Sequence, residues 1–256
     1  MTLTLFCIPH AGGTAALYRK WPGLLTGKAG VRALELPGRG ARAREPQVPD
    51  FEHAVADLTR QIRAEPGVSD CALFGHSLGG LLAYEVARQL TTSPEPALRS
   101  LIISGCVAPT HRSETAEPAA SSDELLCQIG ELGMLPAEIA DDPEAVAYFA
   151  GIVAADLKLL EGYPFRAVST PLTCAVSALF GSDDPMTAGQ DDRGWAAVTG
   201  RPVSVQLLAG AGHAYVCERA EMTAMLVAAE LENPGDGNPG NSRKPSAGEF
   251  AGSLLP

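Results

Sequence analysis

Six short apolar runs constrain the fold of this chain more than any other feature. Leu3–Ile8, Val31–Leu36, Cys71–Phe74, Leu101–Ser104, Leu172–Phe180 and Val203–Leu208 are brief, and most are closed by Gly or Pro. A strand covered on both faces needs apolar side chains at consecutive positions, so these runs predict buried strands of a largely parallel sheet. Helical spacing fills the intervals. Phe51, Ala54, Val55, Leu58 and Ile62 share one face of a helix, and the run from Leu81 to Leu90 is apolar over most of its circumference. Near the end, Met222, Met225, Leu226 and Ala229 repeat the amphipathic spacing and predict a last helix with those four on its apolar face. Strand alternating with helix predicts an α/β architecture, an open sheet with helices on both faces. At 256 residues the chain is long enough for one such core.

The rhythm breaks between about residues 110 and 170. A polar stretch, His111 to Asp123, precedes helical material at Glu124–Leu132 and Asp142–Leu160. An insertion of this size between two sheet strands predicts a helical lid. Its apolar residues, Met134 and Leu135 among them, either line an acyl-binding wall or only pack the insertion onto the body. From Asn233 the composition turns to Asn, Pro, Gly, Asp and Ser, too polar to offset its ordering entropy. The expected organisation is one domain over 1–232 and a disordered tail over 233–256.

Gly75-His76-Ser77-Leu78-Gly79 is the G-x-S-x-G of this chain. Alone the pattern is weak. Here a strand-like run precedes it and a long apolar helix follows, the setting in which a sharp turn lifts a serine hydroxyl above the sheet edge. A hydroxyl needs a base to become a nucleophile. Of five histidines, His53 lies in a helix, His111 in a polar stretch, His76 points away from Ser77 in a sharp turn, and His10 precedes a glycine pair. His213 follows the last strand, where a loop at the C-terminal edge of the sheet would present it. The acid that orients the imidazole is expected after the strand ending at Phe180, in Gly181-Ser182-Asp183-Asp184-Pro185, with Asp184 preferred to Asp183. The loop after Leu101–Ser104, Gly105 to Pro109, contains no carboxylate. The order Ser77, Asp184, His213 is that of the α/β-hydrolase fold. An oxyanion hole would draw on the backbone amides of Leu78 and of Ala11, the latter in His10-Ala11-Gly12-Gly13 after the first strand.

Other classes fit less well. Gly38-Arg39-Gly40-Ala41-Arg42-Ala43 matches G-x-G-x-x-A, but Pro46 and Pro49 follow at once and leave no helix N-terminus for a pyrophosphate. Arg39, Arg42 and Arg44 form a local basic cluster that is either a solvated loop or a contact for a phosphate-bearing carrier. A net charge of −11 argues against nucleic acid and anionic membranes as partners. No apolar run approaches the roughly 18 residues that span a bilayer. The six cysteines show neither C-x-x-C nor His/Cys clustering, so no metal site is expected, and reduced thiols in a cytoplasmic protein are. The expected chemistry requires no cofactor.

At this point the chain resembles the type II thioesterases, the free-standing editing hydrolases of polyketide and nonribosomal peptide synthesis. The resemblance rests on Phe6 to Gly13, Leu36-Pro37-Gly38-Arg39-Gly40 with Arg42, Gly75 to Gly80, Leu132 to Pro136, Asp156 with Tyr163, Gly181–Pro185 with Trp195, and Gly212-His213. It implies hydrolysis of stalled or aberrant acyl groups from the phosphopantetheine arm of acyl or peptidyl carrier proteins, with the lid gating an acyl chamber. It also implies a triad acid after the later strand, as Asp184 is, whereas chain-terminating relatives place theirs where Cys106 stands. Two rival readings are a carboxylesterase or lipase on the same fold and a non-catalytic protein that binds acyl carriers.

Overall fold

The structure, a computed structural model, describes residues 3–91, 96–111, 122–163, 171–189 and 192–233. Its strands are β1 (Thr4–Ile8), β2 (Gly30–Ala33), β3 (Asp70–His76), β4 (Ala97–Ser104), β5 (Ala175–Gly181) and β6 (Ser204–Leu208). The helices are α1 (Trp21–Leu24), α2 (Phe51–Ala64), α3 (Leu78–Leu90), α4 (Ser122–Glu131), α5 (Pro143–Glu161), α6 (Asp192–Thr199), α7 (Tyr215–Glu218) and α8 (Ala220–Glu232). The strands form one sheet in the order β2-β1-β3-β4-β5-β6, every pairing parallel. The order reverses at β1, whose successors lie on opposite sides of it. A cleft opens at such a point beyond the strand C-termini, where ligands of parallel sheets bind.

Successive side chains of a strand face opposite layers, and both layers here are apolar. Phe6, Ile8, Leu73, Leu101, Ile103, Val176 and Phe180 pack with α2, α3 and α6. Leu5, Cys7, Ala72, Phe74, Ile102 and Leu179 pack with α1 and α8 on the other face. The predicted stripe of α2 is buried as expected, and the Asp50 carboxylate caps the helix by accepting the His53 amide at 2.8 Å.

Two expectations shift. The second strand ends at Ala33, before the Leu36 at which the apolar run stops. Glu35 then turns inward, and its carboxylate accepts the amides of Ala15 (2.9 Å) and Ala41 (2.7 Å), tying together the segments after β1 and β2. The face predicted for the last helix is also wrong: in α8, Met222 and Met225 are exposed, and Thr223, Ala224, Val227 and Ala228 are buried. Small side chains let this helix lie close against the sheet, and the longer methionines are left outside.

The insertion between β4 and β5 carries α4 and α5. Ile129, Met134, Phe149, Val153 and Ala214 form a third, smaller apolar cluster, with Ala11, Leu132 and Leu135 packed against it. Positions 112–121 and 164–170 of the expected lid region lie outside the described residues, as do 234–256 of the expected tail. Among the described residues no helix is long and apolar enough to cross a membrane, and no disulfide forms.

Candidate active site

The turn from β3 into α3 is built by excluding side chains. A Cβ on Gly75 would collide with the carbonyl of Gly79, and one on Gly79 with the carbonyl of Ile8. With both clear, the backbone at Ser77 takes φ 55° and ψ −121°, the only positive φ of a non-glycine among the described residues. Side-chain-bearing residues adopt that region at a cost of about 1–3 kcal/mol. The strain points the hydroxyl outward over the sheet edge.

His213 arrives on the loop after β6 and Asp184 on the loop after β5. His213 Nε2 lies 3.1 Å from Ser77 Oγ, and His213 Nδ1 lies 2.9 Å from Asp184 Oδ2. An ionised carboxylate only accepts, so Nδ1 carries the proton and donates to Asp184. Nε2 is left to accept the Ser77 hydroxyl. Asp184 is buried and collects further donors, the Met186 amide at 2.8 Å and the Thr187 hydroxyl at 3.0 Å. Burial alone would raise its carboxyl pKa, but the hydrogen bonds from His213, Met186 and Thr187 outweigh burial and hold it below the ordinary carboxylate range. Asp183 is exposed and accepts its neighbour's hydroxyl, Ser182 Oγ at 2.7 Å.

His76 turns away from Ser77, as the sharp turn requires, yet it has a structural task that the motif did not disclose. Its Nε2 lies 3.0 Å from the carbonyl oxygen of His213, and its Nδ1 lies 2.9 Å from Ser104 Oγ. A carbonyl only accepts, so Nε2 carries the proton and Nδ1 takes the serine's. Burial lowers the His76 pKa far below the ordinary imidazole value, with the neighbouring His213 and His10 acting in the same direction. The ring is therefore a neutral brace for the backbone of His213. The loop after β4 closes over it, and a Cβ on Gly105 would sit 2.6 Å from His76 Cε1.

The two amides expected to form an oxyanion hole stand at the start of α3 and on the loop after β1. Leu78 opens α3, where its N–H has no intrahelical acceptor. Ala11 lies on the loop after β1, the strand paired with β3. Met134 is buried in a cluster with Ala214, the residue after His213, and Leu135 and Ala11 pack against that cluster.

The basic cluster does not form. Arg39 is buried, and its guanidinium pairs with both oxygens of Asp156 on α5, at 2.5 and 2.6 Å. Arg42 pairs with Glu45 and Asp57, and only Arg44 of the three is exposed. Asp156 Oδ2 also accepts the Gly12 amide at 2.7 Å. The buried carboxylate that claims Arg39 stands 117 residues away in the chain, which hid the pairing from a local reading.

Comparisons with known proteins identify the family and the fold. The chain is 34% identical over 233 residues to the AMB antimetabolite synthetase AmbE of Pseudomonas aeruginosa, which covers 90% of this chain and 11% of the synthetase. The chain thus spans about a tenth of that relative's length. The crystal structure of ClbQ from the colibactin NRPS/PKS pathway superposes with a TM-score of 0.83 at 30% identity, covering 91% of this chain and 98% of that one. BorB, a type II thioesterase from the borrelidin biosynthetic cluster, superposes with a TM-score of 0.78 at 30% identity, covering 90% and 93%. These neighbours share the α/β-hydrolase fold. A family profile described as "Thioesterase domain" matches residues 3–231, nearly the whole described chain, and the protein therefore belongs to the thioesterase domain family.

Proposed function

We propose that this protein is a serine thioesterase that hydrolyses acyl groups from the phosphopantetheine arm of acyl or peptidyl carrier proteins. On this reading it clears stalled or aberrant intermediates in cytoplasmic polyketide or nonribosomal peptide synthesis. The observation that carries the proposal is the continuous hydrogen-bonded path from Ser77 through His213 to Asp184, in a member of the thioesterase family. The pathways of AmbE, ClbQ and BorB support the choice of substrate.

The chemistry follows from the geometry. His213 Nε2 takes the Ser77 proton as the hydroxyl attacks the thioester carbonyl. The developing oxyanion is held by the amides of Leu78 and Ala11. Asp184 stabilises the imidazolium, which then protonates the departing thiol. Water, deprotonated by His213, attacks acyl-Ser77; the acyl–Oγ bond breaks, Ser77 Oγ takes the proton back from His213, and the carboxylic acid leaves.

The test is mass spectrometry of acyl-loaded carrier protein. The wild-type protein should yield free acid and carrier with a free phosphopantetheine thiol. Ser77→Ala should lower the rate by about 10⁴-fold or more, because nucleophile and base act as a unit. Undiminished hydrolysis by that variant would remove the nucleophile assignment. Matched oxygen ester and thioester substrates decide between this reading and an oxygen esterase, which would turn over the ester faster.

A further inference from the structure

We infer that Asp156, on the lid helix α5, is a positioning residue for hydrolysis: its carboxylate holds the loop that presents the Ala11 amide. The inference rests on the function proposed above.

The loop is pinned at two successive peptide planes. The Ala11–Gly12 plane is held at its N–H by Asp156 Oδ2 (2.7 Å) and at its C=O by His10 Nδ1 (2.8 Å). In the preceding plane, which carries the Ala11 N–H, the His10 carbonyl accepts the Gly13 amide at 2.9 Å. The oxyanion donor thus owes its direction to groups on either side of it, and one of them comes from the lid.

The lid helix is seated directly on this loop. Gly12 sits at φ +77°, and a Cβ there would lie 2.5 Å from Val153 and 2.9 Å from Phe149, both on α5. Asp156 follows Val153 on the same face of the helix, one turn on. Backbone contact and carboxylate therefore act on the same peptide. A neutral acceptor would hold the Gly12 N–H less firmly, since a charged one makes the stronger bond. Arg39 pairs with both oxygens of this carboxylate. Arg39 in this arrangement supports the carboxylate and leaves the loop to Asp156.

A merely structural staple between lid and body would give a different outcome from a positioning contact, and three variants of the full chain separate them. Each is assayed for kcat and KM on an acyl thioester of a small soluble thiol, together with its urea midpoint. Asp156→Asn should lower kcat about 10- to 100-fold with KM within about twofold, the scale of a small misplacement of a reacting group. Arg39→Lys keeps both the charge on Asp156 and the acceptor for Gly12, and should retain kcat within about threefold. The double variant Arg39→Met/Asp156→Leu replaces the buried pair by apolar groups, an exchange that restores stability in comparable cases. It should recover the urea midpoint and remain as slow as Asp156→Asn. The inference is overturned if kcat follows the midpoint, so that the stable double variant is fast, or if Arg39→Lys is as slow as Asp156→Asn. Should Asp156→Asn fail to fold, the double variant and Arg39→Lys decide alone. Wild-type protein inactive on every thioester would remove the function and this inference together, whereas active wild-type protein with the wrong ordering of variants removes the inference only.

Discussion

At Ser77 the usual rank of alanine over glycine should invert. The backbone there holds φ 55° and ψ −121°, a region open to glycine and costly, by about 1–3 kcal/mol, for any residue with a Cβ. Ser77→Ala keeps that strain; Ser77→Gly releases it. Both variants lack the hydroxyl, so the lost bond to His213 cancels in the comparison. Against the gain stands the greater freedom of glycine in the unfolded chain, about 0.5–1 kcal/mol. A half-buried methyl group is also lost, worth under about 0.8 kcal/mol. The balance leaves Ser77→Gly more stable than Ser77→Ala by about 1 kcal/mol, or about 2–4 °C in a chain of this size. Urea denaturation followed by tryptophan fluorescence is the assay, since Trp21 and Trp195 are both fully buried and sit on opposite faces of the sheet. Ala83→Gly in the middle of α3 is the control, with the ordinary sign. An alanine variant as stable as the glycine variant at position 77 would refute the claim that this turn stores backbone strain.

Acid should weaken the fold in a definite window. Burial lowers the His10 pKa to about 4, and lowers that of His76 well below 6.5. Their contribution to stability is complete above pH 6.5 and is lost as pH falls toward 4, because only the unfolded chain takes up protons there. His10 alone accounts for about 3 kcal/mol over that span. A urea midpoint that stays flat from pH 7 to 4.5 would contradict this. Asp184→Asn should lower kcat about 10⁴-fold, since an amide donating to His213 Nδ1 leaves the proton on Nε2 and no acceptor for Ser77. Steady-state kinetics showing a loss under tenfold would dismiss the orienting role of that carboxylate.

Much of this molecule was legible because its signals are local. A buried parallel strand needs a continuous apolar run, and a nucleophile turn needs glycines at Gly75 and Gly79, where Cβ atoms would strike the backbone. The order of Ser77, Asp184 and His213 along the chain carried the rest. What escaped depended on distant partners or on packing depth. In α8 apolar residues surround most of the helix, so the spacing that put Met222 on the apolar face was a poor guide, and it is Thr223 that packs inward. Glu35 lies inside the run Val31–Leu36 read as a strand, and its role appears only when two amides from separate segments converge on it. Arg39 looked solvated for the same reason, its partner being far along the chain. His76 lay inside the motif itself, and its contact with the His213 carbonyl follows only once the loop after β6 has docked.

That docking has a consequence for when the chemistry begins. Ser77, the proposed nucleophile, is synthesised well before Asp184 and His213, the proposed acid and base, which lie on the loops after β5 and β6. A nascent chain stalled before position 213 would display a strained serine with nothing to deprotonate it. Among the described residues β6 is also an outermost strand, held by β5 on one side only. On the proposed function, the onset of thioester cleavage during biosynthesis should report the arrival of β6, and fraying at that border would silence the protein while the rest of the sheet stays intact.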